Sequence, residues 1–182
     1  MPSTRSAFLR YTTFAWGLLL CASISTANAR EKITIPGTTI SLQAPVGFTP
    51  LTDTEIGNKF SRNSAPKYVM GNARRGTSIA YDLKPTPIKD AELEQGLATF
   101  ETLMVRVVPN LVWKRKEIIE QAGQRWIYLE MTSSAIDTNI YNIMLITPFE
   151  GKMLIFNFNS TKEEFGEQEA ALRASAALIR LK

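Results

Sequence analysis

Apolar and polar positions alternate with a period of two through most of residues 111–160, the most regular pattern in the chain. Trp113, Arg115, Glu117 and Ile119 alternate with Val112, Lys114, Lys116 and Ile118. After Gly123, Trp126, Tyr128 and Glu130 stand against Ile127, Leu129 and Met131. Two further runs follow, Asn139 to Thr147 and Met153 to Asn159, the second with Leu154, Phe156 and Phe158 on one face. Turn signals separate these segments, so the pattern predicts four strands in a meander. Both faces carry apolar residues, which predicts a sheet covered on both sides.

Two segments change to a period of three to four. Leu93, Leu97, Phe100, Met104 and Val107 make an apolar stripe that predicts a helix from a cap at Asp90 to about Val108, stopped by Pro109-Asn110. Ser160-Thr161-Lys162-Glu163 has capping-box spacing and opens a terminal helix whose buried stripe is Phe165, Leu172, Ala176 and Ile179. Glutamates near its start suit the positive end of the helix dipole.

The earlier part of the chain is punctuated more densely. Lys32 to Ile35 and Thr38 to Gln43 read as short strands around Pro36-Gly37. Asp53 is placed to cap a short helix carrying Ile56 and Phe60. Tyr68 to Asn72 and Thr77 to Leu83 flank Ala73-Arg74-Arg75-Gly76 as a hairpin. The expected fold class is therefore α/β (α+β): an α/β/α sandwich with a mostly antiparallel sheet of about six strands, two long flanking helices and a short N-terminal hairpin.

The N-terminus lies outside this domain. Arg5 and Arg10, the apolar run Phe14 to Ala22 and the small-x-small site Ala27-Asn28-Ala29 predict a signal peptide over residues 1–29, cleaved before Arg30. Residues 30–182 are then a single mature domain, periplasmic or secreted, without a transmembrane segment.

Cleavage takes with it two of the 21 basic side chains, none of the 17 acidic ones, and Cys21, the only cysteine. The domain that remains is nearly neutral, which gives no support to a nucleic-acid partner. It contains no thiol and, since the chain has no histidine, no imidazole. Thiol chemistry, Ser-His-Asp and Cys-His nucleophiles and His-based metal sites are thereby excluded. No cofactor, metal site or catalytic residue is expected.

Ile40-Ser-Leu-Gln-Ala-Pro45-Val-Gly47-Phe48, the element order, and the closing strand and helix from Met153 to Arg180 together resemble the PsbP-like family. That fold is shared with the Ran-binding Mog protein and DcrB-type bacterial lipoproteins. The resemblance implies a non-enzymatic protein that acts by binding other proteins, at photosystems, a small GTPase or bacterial envelopes. No functional residue carries over. The absence of histidine departs from photosynthetic members with metal-binding histidines, and the Cys21 context departs from lipoprotein members.

Candidate sites are sparse. Ser64-Ala65-Pro66-Lys67 has the S-x-x-K spacing of a serine activated by lysine, but its proline and loop context oppose the helix start that this chemistry needs. Glu117, Glu120, Glu130 and Asp137 could supply a carboxylate pair, although solvated strand positions are the simpler reading. Asp137-Thr138-Asn139 lacks the glycine and distal glutamate of a calcium loop. Trp113, Trp126 and Tyr128 read as core or half-buried sheet residues. Arg74, Arg75, Lys114 and Lys116 would form a partner-binding basic patch if the fold brought them together, with Lys114 and Lys116 on one side of their strand.

The expected function is thus a non-catalytic protein-binding or envelope assembly module whose partner is another envelope or periplasmic protein. The alternatives are a carrier of a small apolar ligand between sheet and helix, then a carboxylate hydrolase.

Overall fold

The structure, a computed structural model, describes residues 31–60, 65–134 and 138–182. The proposed export segment, Ser64 of the S-x-x-K motif and Asp137 lie outside the described residues.

Among the described residues nine strands and three α-helices follow one another as β1 (Glu31–Thr34), β2 (Ser41–Ala44), β3 (Thr49–Pro50), α1 (Asp53–Lys59), β4 (Tyr68–Gly71), β5 (Thr77–Lys84), α2 (Leu93–Val107), β6 (Val112–Gln121), β7 (Gln124–Ser134), β8 (Asn139–Phe149), β9 (Lys152–Thr161) and α3 (Lys162–Ala177). Strands β3 to β9 form one antiparallel sheet in the order β3-β4-β5-β9-β8-β7-β6, and β1 with β2 forms a separate hairpin. The meander β6–β9 thus continues into β5, which pairs with β9 along its whole length. The expected sheet of about six strands is present with seven, the two-residue β3 adding an edge to β4 in a stretch that reads as a break in sequence.

Both faces of the sheet are apolar, but they are covered differently. One face carries Ile79, Tyr81, Trp126, Ile143, Leu145, Phe156 and Phe158, and α3 lies over it with Phe165, Leu172 and Ala176. The β1–β2 hairpin extends this layer with Ile35, Ile40 and Leu42. It is tied to the chain beyond α3 by a reciprocal pair of backbone hydrogen bonds between Ser41 and Arg180, 3.0 and 2.8 Å.

On the other face α2 covers Ile127, Leu129, Met131 and Ile146 at the β6–β7 side. Ile56 and Phe60 of the α1 segment cover Leu51, Val69 and Ala80 at the β3–β5 side. The middle of that face lies between the two helices.

The helix starts depart from their predicted caps. Thr52, not Asp53, caps α1, in a capping box with Glu55. Asp90 begins a 3-10 turn over Asp90–Glu92 that leads into α2. Thr161, not Ser160, caps α3 and accepts from the Glu164 N–H. The last shift has a clear cause, since Ser160 Oγ is buried and engages Thr77 Oγ1 at 2.9 Å across the β5–β9 pair.

The stripe on α2 is also shorter than predicted. Leu93 is buried, but Val107 is 61 % exposed, and Leu103 and Val105 on the same last turns are 46 % and 61 % exposed.

A β-bulge corrects the predicted faces of β6. Trp113 pairs with Met131 and Arg115 with Glu130, which leaves Lys114 without a cross-strand partner. The extra residue breaks the alternation. Trp113 joins the α2 layer, while Ile119 packs with the α3 layer.

Candidate functional site

Among the described residues the middle of the sheet is left uncovered and forms a groove between α1 and α2. Its floor follows from strand register: Ala80, Asn157 and Met144 lie in one row across β5, β9 and β8, and Ser78, Asn159 and Asn142 in the next. Residues two apart on β9 share a face, so Ile155, Asn157 and Asn159 line the groove in succession. The distance from Ile155 to Thr161 along the strand is about 20 Å.

Phe60 forms one wall, and Leu103 and Met104 of α2 form the other. The more apolar stretch, over Ala80, Met144 and Ile155, encloses about 470 Å³. A second stretch of about 320 Å³ continues past Val108, Met131 and Asn142 and shares Met104, Met144 and Asn157 with the first.

Three carboxamides give this floor its chemistry. Asn159 Nδ2 donates to Asn142 Oδ1, and Asn142 Nδ2 donates to Ser133 Oγ at 3.4 Å. Asn157 Oδ1 is buried and accepts no hydrogen bond among the described residues. A buried carbonyl without a donor is costly, and such groups are ordinarily satisfied by water or by a bound molecule.

The opposite face holds a buried ion pair. Glu130 of β7 is only 4 % exposed. Arg173 of α3 grips its carboxylate through Nη2 to Oε1 at 2.7 Å and Nη1 to Oε2 at 2.9 Å. Tyr128 Oη donates to Oε2 at 2.9 Å, and Tyr141 Oη donates to Oε1. Burial opposes the charge on Glu130, but the Arg173 guanidinium and the two phenols outweigh it and hold the carboxyl at about 2. Burial and the adjacent carboxylate push both Tyr128 and Tyr141 up to about 12. Glu169 holds Arg173 Nε at 2.9 Å, and Tyr141 stacks on Phe165 with ring centroids 3.5 Å apart. Every polar group here is used internally. The cluster fastens α3 to the sheet, and Glu130 is held anionic, without the raised pKa of a general acid.

Among the described residues the other two acids, Glu117 and Glu120, do not make a carboxylate pair either. Glu117 bonds Arg115, its neighbour two residues away, while Glu120 stands opposite Arg125 in the β6–β7 ladder.

The four cations of the predicted basic patch lie at two separate places. Arg74 and Arg75 sit in the β4–β5 turn, where Arg74 bonds Glu164 and Glu167 at 3.1 and 2.9 Å and Arg75 bonds Glu55 at 2.9 Å. Lys114 and Lys116 lie on β6, the far edge strand, with β9, β8 and β7 between them and β5. Lys116 pairs with Glu101 of α2. The fold therefore keeps the two pairs apart.

The carboxamide floor was not legible as a site in the sequence. Asn142, Asn157 and Asn159 come from two strands, and their only local signal is amide side chains on otherwise apolar strands.

No protein-family model matches the chain, and no curated protein matches it in sequence. Several solved structures do match in fold. The solution structure of cyanobacterial PsbP (CyanoP) from Synechocystis sp. PCC 6803 is similar over 91 % of this chain and 100 % of its own, with 12 % identity and a TM-score of 0.58. LpqN, described as involved in cell envelope biogenesis of Mycobacterium tuberculosis, covers 83 % of this chain and 89 % of its own at 15 % identity, with a TM-score of 0.53. PA94 of Pseudomonas aeruginosa, described as a putative regulator of unknown function, covers 81 % and 94 % at 11 % identity, with a TM-score of 0.50. At these identities the likeness concerns the fold, which is PsbP-like.

Proposed function

We propose that the chain is a non-catalytic binding module of the cell envelope that takes an extended segment of a partner protein into the groove between α1 and α2. The carrying observation is the row of carboxamides on an otherwise apolar, open sheet surface. Each carboxamide has donors and an acceptor, and Asn157 and Asn159 repeat at the two-residue spacing of an extended chain. A peptide laid along β9 would offer carbonyl and N–H groups at a matching interval, and its side chains would meet Phe60, Leu103 and Met104.

Leu103 and Val107, exposed apolar residues one turn apart at the end of α2, extend this surface beyond the groove. The envelope location rests on the predicted export segment, and the fold likeness to LpqN is consistent with it. No helix among the described residues is long and apolar enough to cross a membrane.

The test is in-cell photocrosslinking from Leu103, with Glu167 on the α3 side as a control position. Adducts to one envelope protein from Leu103 and not from Glu167 are expected. Equal adducts from both positions, or none from Leu103 at native expression, would refute the reading.

A second reading is favoured by the 470 Å³ apolar stretch, which is large enough for a small apolar ligand. Native mass spectrometry of the purified protein distinguishes it, because a carrier would retain a small molecule of defined mass.

A further inference from the structure

The other face of the molecule has a cavity that the groove does not explain. It lies between the β1–β2 turn and the neighbouring ends of β4, β5 and the β8–β9 turn, and encloses about 650 Å³. Tyr68 and Tyr81 stand directly opposite each other in the β4–β5 ladder, and both line it.

Tyr81 is 4 % exposed, with its ring edge-on to Phe156 at 5.7 Å, and its hydroxyl, which reaches the cavity, makes no hydrogen bond among the described residues. The Tyr68 hydroxyl makes none either. Both hydroxyls open into the cavity, where each is free to donate to a molecule that enters it. Burial raises the pKa of both phenols, with smaller contributions from nearby carboxylates, so both are protonated donors near neutral pH.

The rest of the lining narrows the ligand. Ile35, Leu83 and Phe149 give an apolar floor. Lys67 and Lys152 are at the rim, and neither makes an ion pair among the described residues. Glu150 is the acid at that rim, and Thr39, also in the lining, donates to a main-chain oxygen of Lys182 at 2.9 Å. Thr38 is occupied by the Ile35 carbonyl. The rim is therefore mildly cationic at most, which disfavours a polyanion. Two phenol donors, two free ammonium groups and an apolar floor suit one oxyanion attached to an apolar body.

We propose that this cavity is a binding site for a small carboxylate with an aromatic or short aliphatic body. Tyr68 and Tyr81 donate to the carboxylate, Lys67 and Lys152 attract it, and Ile35, Leu83 and Phe149 take the apolar part. This site is on the face opposite the groove and does not depend on the peptide reading.

The test is calorimetric titration of the purified chain with benzoate and hexanoate, using benzyl alcohol and benzylamine as matched controls. Saturable binding of a carboxylate is expected, with the controls weaker by about tenfold or more. Tyr81→Phe should weaken carboxylate binding by about tenfold while the melting temperature holds. Tyr68→Phe, at a less buried position, provides the same comparison should Tyr81→Phe fold poorly. A Lys67→Met/Lys152→Met double variant should weaken binding as well. Failure of both carboxylates to saturate, equal binding of benzylamine, or unchanged affinity in the folded tyrosine variants would overturn the proposal.

Discussion

Arg173 of α3 and Glu130 of β7 are joined by two parallel hydrogen bonds, Nη2 to Oε1 at 2.7 Å and Nη1 to Oε2 at 2.9 Å. The fork-on-fork geometry adds direction to charge, so the pair sets the position of α3 on the sheet as well as its attachment. Glu130 depends on this partner because it has almost no access to water.

Arg173→Met should therefore cost about 3 kcal/mol in urea unfolding, toward the lower end of what is typical for stranding a buried charge, since Arg173 itself is partly exposed. Glu130→Gln combined with Arg173→Met should lose less than the sum of the two single variants. Strict additivity would show that the two side chains do not act as a pair.

The same site predicts the acid limb of stability. The folded Glu130 pKa of about 2 lies below its ordinary value of 4.5, so its contribution is complete above pH 4.5 and is lost as pH falls toward 2. Glu130→Gln should flatten a plot of unfolding free energy against pH over that window. Some slope will remain, because Glu55, Glu94 and Glu163 are also lowered, each mainly through a backbone N–H. At the alkaline end the sign reverses. Tyr128 and Tyr141 are raised to about 12, so their contribution is present below pH 10 and disappears between 10 and 12. Tyrosinate absorbance should show these two phenols ionising together with unfolding, not ahead of it.

Gly76 provides a test at the start of α3. A Cβ there would fall 2.5 Å from Glu164 Oε1. That carboxylate is buried, and its Oε2 accepts from Thr77 Oγ1 and Asn72 Nδ2, both at 2.7 Å. Gly76→Ala must displace Glu164 from these partners. A loss of about 1–3 kcal/mol in thermal or denaturant unfolding is expected.

Asn157 separates stability from binding. Replacing it with leucine removes the unpaired carbonyl and retains most of the side-chain volume, so Asn157→Leu should leave stability unchanged or raise it by up to about 1 kcal/mol. Crosslinking from Leu103 should nevertheless fall sharply, because the groove floor loses a carboxamide. Undiminished crosslinking in this variant would remove Asn157 from the binding surface. A site that sacrifices stability for function has this signature.

The sequence by itself determined the elements whose cause is local. The alternation through 111–160 marked the four meander strands, and Phe165, Leu172, Ala176 and Ile179 marked the buried side of the last helix and its extension, because side-chain direction repeats every two or 3.6 residues whatever lies opposite. Only the tertiary structure decided which residues met. Lys114 became a bulge and sent Trp113 to the α2 side, because register is set by the neighbouring strand. Ser160 yielded the α3 cap to Thr161 because Thr77 had claimed its hydroxyl from 83 residues away. Glu130 looked like an ordinary solvated acid until Arg173 was brought to it from 43 residues along the chain. The groove arose the same way: Asn142, Asn157 and Asn159 became one surface only when β8 paired with β9 and two helices settled at either side, contacts that periodicity within a single strand does not encode.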